Sequence, residues 1–124
     1  MKITYRPKQE LMAMANLQGR RTGLSVNIWS DGQGCLRNKP DVTPRVKIGF
    51  GNESVSVSIS ADPKVLAPKS WRRTFKKSTV KAIEEGIDYV SRNYDLFLSH
   101  YEDTDGSFDD YELFESLKRR GEFK

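Results

Sequence analysis

Lys and Arg side chains alternate with aromatic rings in the segment 64–77, in the middle of the chain. Cations neutralise phosphates and rings stack on bases, so this composition is typical of surfaces that bind single-stranded DNA or RNA. Two further cations lie on one face of the run 45–50. The residues we assign to nucleic-acid or partner binding are Arg45, Lys47, Lys69, Trp71, Arg72, Arg73, Lys76 and Lys77.

A second interpretation of the same segment places its rings in the core. Trp71 and Phe75 are four residues apart, the spacing of neighbours on one face of a helix. The Lys and Arg stems would then cover apolar surface while their heads point to water. The sequence contains no ribonucleoprotein signature, no Gly-x-x-Gly loop in a helical context and no zinc-finger spacing. Both interpretations therefore stay open.

The acidic stretch 101–112 is similar to the twelve-residue calcium loop of an EF-hand. Asp103, Asp105, Asp109 and Glu112 stand at loop positions 3, 5, 9 and 12, but Tyr101 replaces the acid of position 1. The alternative is a turn over 103–106 followed by a helix start, in which Ser107 accepts backbone hydrogen bonds and Asp110 favours the positive end of the helix. We expect the second arrangement, and hence no metal and no cofactor.

Catalytic groups are scarce. The chain has one histidine, His100, at the end of an amphipathic stretch, and one cysteine, Cys35, in a polar segment. A Ser-His-Asp triad cannot be assigned with these residues, and no second histidine could activate the thiol. No glycine-rich phosphate loop with its lysine is present either. We therefore expect that the protein is not an enzyme.

The length of 124 residues, with 36% hydrophobic and 31% charged residues, predicts one domain spanning 1–124. The sequence has no run of 18 apolar residues and no apolar signal core, so we expect no membrane association. A single cysteine excludes an internal disulfide and is typical of a reducing compartment. We expect a cytoplasmic protein.

Charge is distributed unevenly along the chain. Residues 1–77 carry 15 Lys and Arg against 5 Asp and Glu, a net charge of +10, whereas residues 78–124 carry 6 against 12, a net charge of −6. A basic region of this kind can face a phosphate backbone. The alternative is that the two halves pack together and neutralise each other.

The first half, 1–77, is predicted to be mainly β. Apolar and polar residues alternate in 24–29, 45–50 and 55–60, and the last two runs, separated by Gly51-Asn52, predict an antiparallel hairpin. Residues 2–5 form a further candidate strand. The segment 6–18 is ambiguous, because Leu11, Met14 and Leu17 have helical spacing but the run is short.

The second half, 78–124, is predicted to be helical. One apolar stripe predicts a helix over about 79–98, which packs on the sheet or, alternatively, forms a dimer contact: Val80, Ile83, Ile87, Val90, Tyr94 and Phe97. A second helix is predicted over 109–119, closed by Gly121. The expected fold class is therefore α+β, a small antiparallel sheet packed on one long helix, with a short terminal helix.

The residues 44–118 resemble short bacterial and phage proteins of uncharacterised function. The similarity lies in a Pro-Arg-x-Lys strand, a DP-x-(I/V)-L step and a helix ending in LL-x-(H/K)-(W/Y), carried here by Pro44, Arg45, Lys47, Ile59, Asp62, Pro63, Leu66, Asn93, Leu96, Leu98, His100 and Tyr101. Some of these proteins are found beside toxin–antitoxin genes and have histidines in place of Arg45 and Lys47. The resemblance implies a small α+β domain and a phage or mobile-element context.

Two functions follow as expectations. In the first, the chain is a non-catalytic interaction protein, a toxin–antitoxin or phage accessory or anti-defence factor that contacts another protein, with a homodimer as one possible form. In the second, it binds RNA or single-stranded DNA through 64–77 and 45–50. The salt dependence of binding distinguishes them, because phosphate contacts weaken steeply as salt rises.

Overall fold

A computed structural model describes residues 14–50 and 52–124. Its sheet has five antiparallel strands in sequence order, each paired with the next. The strands are β1 Ala15–Leu17, β2 Asn27–Ser30, β3 Arg45–Phe50, β4 Glu53–Ser58 and β5 Val65–Ala67. The predicted hairpin is confirmed, with its second strand beginning two residues earlier than expected. The candidate strand 2–5 lies outside the described residues, as does most of the segment 6–18.

In the part of the chain that the structure describes, six helices accompany the sheet, which confirms the α+β class. They are α1 Gly19–Thr22, α2 Gly34–Arg37, α3 Trp71–Thr74, α4 Lys77–Arg92, α5 Tyr94–Glu102 and α6 Asp110–Arg119. The first three are single turns within connections. Within the described residues, no helix is long and apolar enough to cross a bilayer.

The two faces of the sheet differ in chemistry because successive side chains of a strand point to opposite sides. On the helix-covered face one paired row is wholly apolar, with Leu17, Ile28, Ile48 and Val55 at most 1% exposed. On the other side, which we call the opposite face, one row across the five strands consists of Asn16, Trp29, Lys47, Ser56 and Ala67. The apolar row forms the centre of the core.

Helix α4 lies against strands β3 and β4 on the helix-covered face. Ile83 and Val90 from its stripe are fully buried there, so the predicted packing on the sheet is confirmed. Gly86 allows this close approach, since a Cβ at its position would lie 2.7 Å from Cγ2 of Ile48. The absence of a side chain at Gly86 thus lets the backbone of α4 pack closely against the sheet.

The predicted long helix 79–98 is wrong in one respect, because the chain breaks it at Asn93. Helix α4 ends at Arg92 and α5 begins at Tyr94, with Asn93 outside the helical region at φ −124° and ψ 23°. The buried amide of Asn93 donates from Nδ2 to the carbonyl of Tyr89, at 3.0 Å, and its Oδ1 accepts from Arg120, at 3.3 Å. These bonds hold the chain at the bend and leave Tyr94, a member of the predicted stripe, 38% exposed.

The C-terminal helix agrees with the sequence. Asp109 precedes α6 as its N-cap and accepts from the N–H of Glu112 at 3.0 Å, while Gly121 follows it at φ +75°. The chain then returns to the sheet side, where Phe123 stacks on Phe114 and receives the guanidinium of Arg21 over its ring. The last residues therefore close the core.

Candidate functional site

The predicted binding residues fall into two groups on different sides of the sheet. Arg45 and Lys47 lie in β3 and point to the opposite face, in the alternate positions to the buried Val46 and Ile48. The others belong to α3, its flanks and the first turn of α4, the helix that packs on the helix-covered face: Lys69, Trp71, Arg72, Arg73, Lys76 and Lys77. The structure does not bring all eight residues into one surface.

Trp71 belongs to the core. Its side chain is 4% exposed, and the guanidinium of Arg72 lies 4.5 Å from the ring centroid. Arg72 also donates to Glu84 of α4 at 2.8 Å. The indole is therefore unavailable for stacking on a base, which corrects that predicted role, whereas the alternative with Trp71 in the core agrees with its burial.

The remaining cations of the second group surround the start of α4. Lys69, Arg73, Lys76 and Lys77 are exposed and form no ion pair with a carboxylate of the described residues. Lys76 is the N-cap of the helix and provides no side-chain cap, and the first turn contains no acid. The positive end of the helix dipole thus adds to their charge.

Arg45 and Lys47 line a pocket of about 380 Å³. Its wall also contains Ser56, which faces Lys47 directly in the β3–β4 register, and Asn38 and Tyr101 from outside the sheet. A concave site with two cations and several hydroxyl or amide groups can hold an anion by charge and by directed hydrogen bonds. This pocket is the candidate site.

The far wall of the pocket is fixed by contacts between α2 and α5. The amide Nδ2 of Asn38 donates to the hydroxyl of Tyr101 at 2.8 Å and to the carbonyl of Gly34 at 2.9 Å. The ring of Tyr101 lies so close to Gly34 that a Cβ there would be 2.4 Å from it. Because both N–H groups of Asn38 are engaged, the tyrosine hydroxyl is held in one place.

Sequence reasoning found the two cations of this pocket but missed Asn38, Ser56 and Tyr101 as site residues. For Ser56 a signal existed, because the hairpin register places it opposite Lys47. Asn38 and Tyr101 are 63 residues apart and meet only through the packing of α2 on α5. No local pattern marks such a pair.

His100, next to the pocket residue Tyr101, is fully buried between two partners. Its Nδ1 lies 2.8 Å from Oγ of Ser30, and its Nε2 lies 2.7 Å from Oδ1 of Asp110. The residue types are those of a catalytic triad, but the Ser30 hydroxyl is 0% exposed and no substrate can reach it. The arrangement instead joins β2, α5 and α6.

Cys35 lies in the single turn of α2. Its Sγ lies 3.8 Å from the carbonyl oxygen of Asp103, and its side chain packs against the core while remaining partly exposed. No base from the described residues hydrogen-bonds the thiol.

In the acidic stretch 101–112, aspartate side chains accept hydrogen bonds from backbone N–H groups of the same stretch. Oδ1 of Asp103 accepts from the N–H groups of Asp105 and Gly106, and Asp105 accepts from the N–H of Ser107 at 3.0 Å. Hydrogen bonds from the side chain and backbone of Ser107 hold the pKa of Asp105 below its ordinary value. Within residues 14–50 and 52–124, no three His, Cys, Asp or Glu side chains are grouped so that they could hold a metal ion.

Comparison with protein-family models, with curated proteins and with solved structures finds no match to this chain. The resemblance of residues 44–118 to short bacterial and phage proteins stays an expectation from the sequence.

Proposed function

We propose that this protein is a non-catalytic binding module that contacts the phosphate backbone of single-stranded nucleic acid, DNA or RNA, through the basic half of its chain. The observation that carries the proposal is that almost no ion pair joins the two oppositely charged halves of the chain. Among the seven Lys or Arg ion pairs of the described residues, only Arg72–Glu84 joins residues 1–77 to residues 78–124.

The cations of the basic half are consequently available to an external anion. Apart from Arg21, which contacts Phe123 and Lys124, those that form no ion pair with an Asp or Glu of the described residues are Arg20, Lys39, Arg45, Lys47, Lys69, Arg73, Lys76 and Lys77. Uncompensated charges that lie within a Debye length of about 8 Å add their potentials. They attract a polyanion, and each phosphate contact releases a counterion.

The burial of both tryptophans argues for contacts with phosphates rather than stacking on bases. Trp29 and Trp71, the two tryptophans, are 8% and 4% exposed, so neither offers a flat surface to a base. Around Lys47 the opposite face presents Ser56 and Arg45, which suit phosphate oxygens. We therefore expect binding with little sequence preference and a strong dependence on salt.

The test is a salt titration of binding to a fluorescent single-stranded oligonucleotide, compared for RNA, DNA and duplex DNA. The slope of log K against log salt is negative, and the double variant Arg45→Ala/Lys47→Ala should make it shallower by about 1 to 2. The control Lys118→Ala/Arg119→Ala removes the same charge from the acidic half and should leave both the slope and the affinity nearly unchanged. Absence of binding at about 50 mM salt, or binding that is independent of salt, would contradict the proposal.

A second candidate is contact with a protein partner, as expected for a phage or toxin–antitoxin accessory factor. It is favoured by two large apolar side chains at the surface, Leu36 of α2 at 59% and Tyr111 of α6 at 65% exposure. A partner retained from the native host after nuclease treatment, and lost with Leu36→Ser/Tyr111→Ser, supports this function. A partner released by nuclease supports nucleic-acid binding instead.

A further inference from the structure

The pocket beside β3 has a size suited to one small ligand group. Its volume of about 380 Å³ lies within the range of small-molecule sites, about 300–1,000 Å³. It is concave, so a double helix, whose bases are stacked inside, can present only its backbone there. A single strand can place a whole nucleotide inside.

Hydrogen-bond donors toward the pocket come from four side chains. Arg45 uses Nε to donate to the carbonyl of Thr43 at 3.1 Å, and its two terminal nitrogens make no hydrogen bond within the described residues. Lys47 has no carboxylate partner there, and Ser56 stands beside it across the hairpin. These three groups can surround the oxygens of one phosphate.

Tyr101 supplies the fourth donor. Its oxygen already accepts from Nδ2 of Asn38, so the phenol proton is left for a ligand, while Oδ1 of Asn38 stays available as an acceptor. Val42 adds a partly exposed apolar side chain to the wall. Among the described residues that line the pocket, Asp31 is the one acid, and Arg37 pairs with its Oδ1.

We propose that this pocket holds one phosphate-bearing nucleotide of a single strand, with its phosphate on Arg45, Lys47 and Ser56 and its sugar or base toward Val42, Asn38 and Tyr101. The proposal rests on the proposed function and adds a defined subsite to it. A bare phosphate would use only the part of the pocket with the cations Arg45 and Lys47. A nucleotide would also contact the hydroxyl of Tyr101 and the apolar side chain of Val42, so it fits the pocket better.

The direct experiment titrates the full chain with a 5′-mononucleotide, AMP or CMP, and separately with inorganic phosphate, by nuclear magnetic resonance or calorimetry. The mononucleotide should bind, and more tightly than phosphate. Lys47→Ala should weaken it about tenfold, because a charge-assisted hydrogen bond is lost. Tyr101→Phe, which keeps the ring against Gly34, should weaken the mononucleotide by a few fold and leave phosphate unchanged. Lys118→Ala is the control and should have no effect.

The outcomes separate this proposal from the proposed function. If the oligonucleotide binds in a salt-dependent manner but mononucleotides do not, the pocket proposal is overturned while the proposed function stands. Equal affinity for phosphate and mononucleotide, or equal effects of Lys47→Ala and Lys118→Ala, also overturns it. If neither oligonucleotide nor mononucleotide binds, both proposals are wrong. Because Lys47 lies at the surface, its variant tests the pocket even if Tyr101→Phe fails to fold.

Discussion

The imidazole of His100 and the carboxylate of Asp110 are joined by a 2.7 Å hydrogen bond that ties the end of α5 to the start of α6. The histidine is fully buried, whereas the Asp110 side chain is 56% exposed. An ionised carboxylate can only accept, so Nε2 carries the proton of this bond. With a neutral ring, Nδ1 then accepts from the hydroxyl of Ser30.

Asp110→Ala should destabilise the fold by about 1–3 kcal/mol, because the Nε2–H group of a buried ring loses its partner. Urea denaturation measures the free energy of unfolding. The control Glu115→Ala removes an acid of the same helix that forms only a partly exposed pair with Lys118, and should cost less than about 1 kcal/mol. Equal costs for the two variants would show that the histidine bond contributes no more than a surface ion pair.

Gly86→Ala should also destabilise, although alanine favours a helix by about 1 kcal/mol over glycine. The added methyl would lie 2.7 Å from Cγ2 of Ile48 and 3.2 Å from Cγ2 of Val26, both in the core. Helix α4 must then move away from the sheet, at a net cost of about 1–3 kcal/mol. Thermal unfolding of Gly86→Ala and of the unchanged protein measures this net cost.

The matched test of this contact is the pair Gly86→Ala and Ile48→Ala. Removing the Ile48 side chain opens a cavity on its own, and the double variant should be more stable than the sum of the two single changes predicts. If the destabilisation of the double variant equals the sum of the two single variants, positions 48 and 86 do not contact each other.

These contacts also explain how far the sequence predicts the fold. The alternation in β3 and β4 and the stripe of α4 are strong local patterns because each has a buried face. The break at Asn93 is hidden, since Val90, Tyr94 and Phe97 keep helical spacing across it. One of the two hydrogen bonds that hold the bend comes from a distant side chain, Arg120. Strands β1 and β5 have three residues each, too few to show a period, and pairing with their neighbours defines them.

The candidate site was predictable to a similar degree. Arg45 and Lys47 stand out by charge within an alternating strand, and the hairpin gives Ser56. The other half of the pocket, Asn38 and Tyr101, depends on a helix contact between distant segments. Trp71 shows the opposite error, because a ring among cations looks like a binding residue until its burial is known.

The pair Asp95–Arg120 should make stability depend on pH in the acid range. The hydrogen bond from Arg120 lowers the pKa of Asp95 from its ordinary 3.8. A lowered pKa in the folded state contributes stability above 3.8 that is lost as the pH falls through the folded value. Asp95→Asn should therefore reduce the free energy of unfolding at pH 7 by about 0.5 kcal/mol, with the difference vanishing in strong acid. Asp41→Asn, at an exposed position without an ion pair among the described residues, is the control and should leave the free energy of unfolding at pH 7 nearly unchanged.

Calcium at millimolar concentration should leave the melting temperature unchanged. An ion that binds only the folded state raises stability by mass action, so a functional loop would give a clear rise. In 101–112, however, Asp109 is occupied as the N-cap of α6, and Glu112, the expected bidentate ligand, lies 4.0 Å from Arg119. Asp109→Ala should thus cost about 1 kcal/mol equally with and without calcium, as expected for a lost cap. A rise in melting temperature that magnesium does not reproduce and that Glu112→Gln abolishes would instead mean that the carboxylates leave these partners to bind the ion.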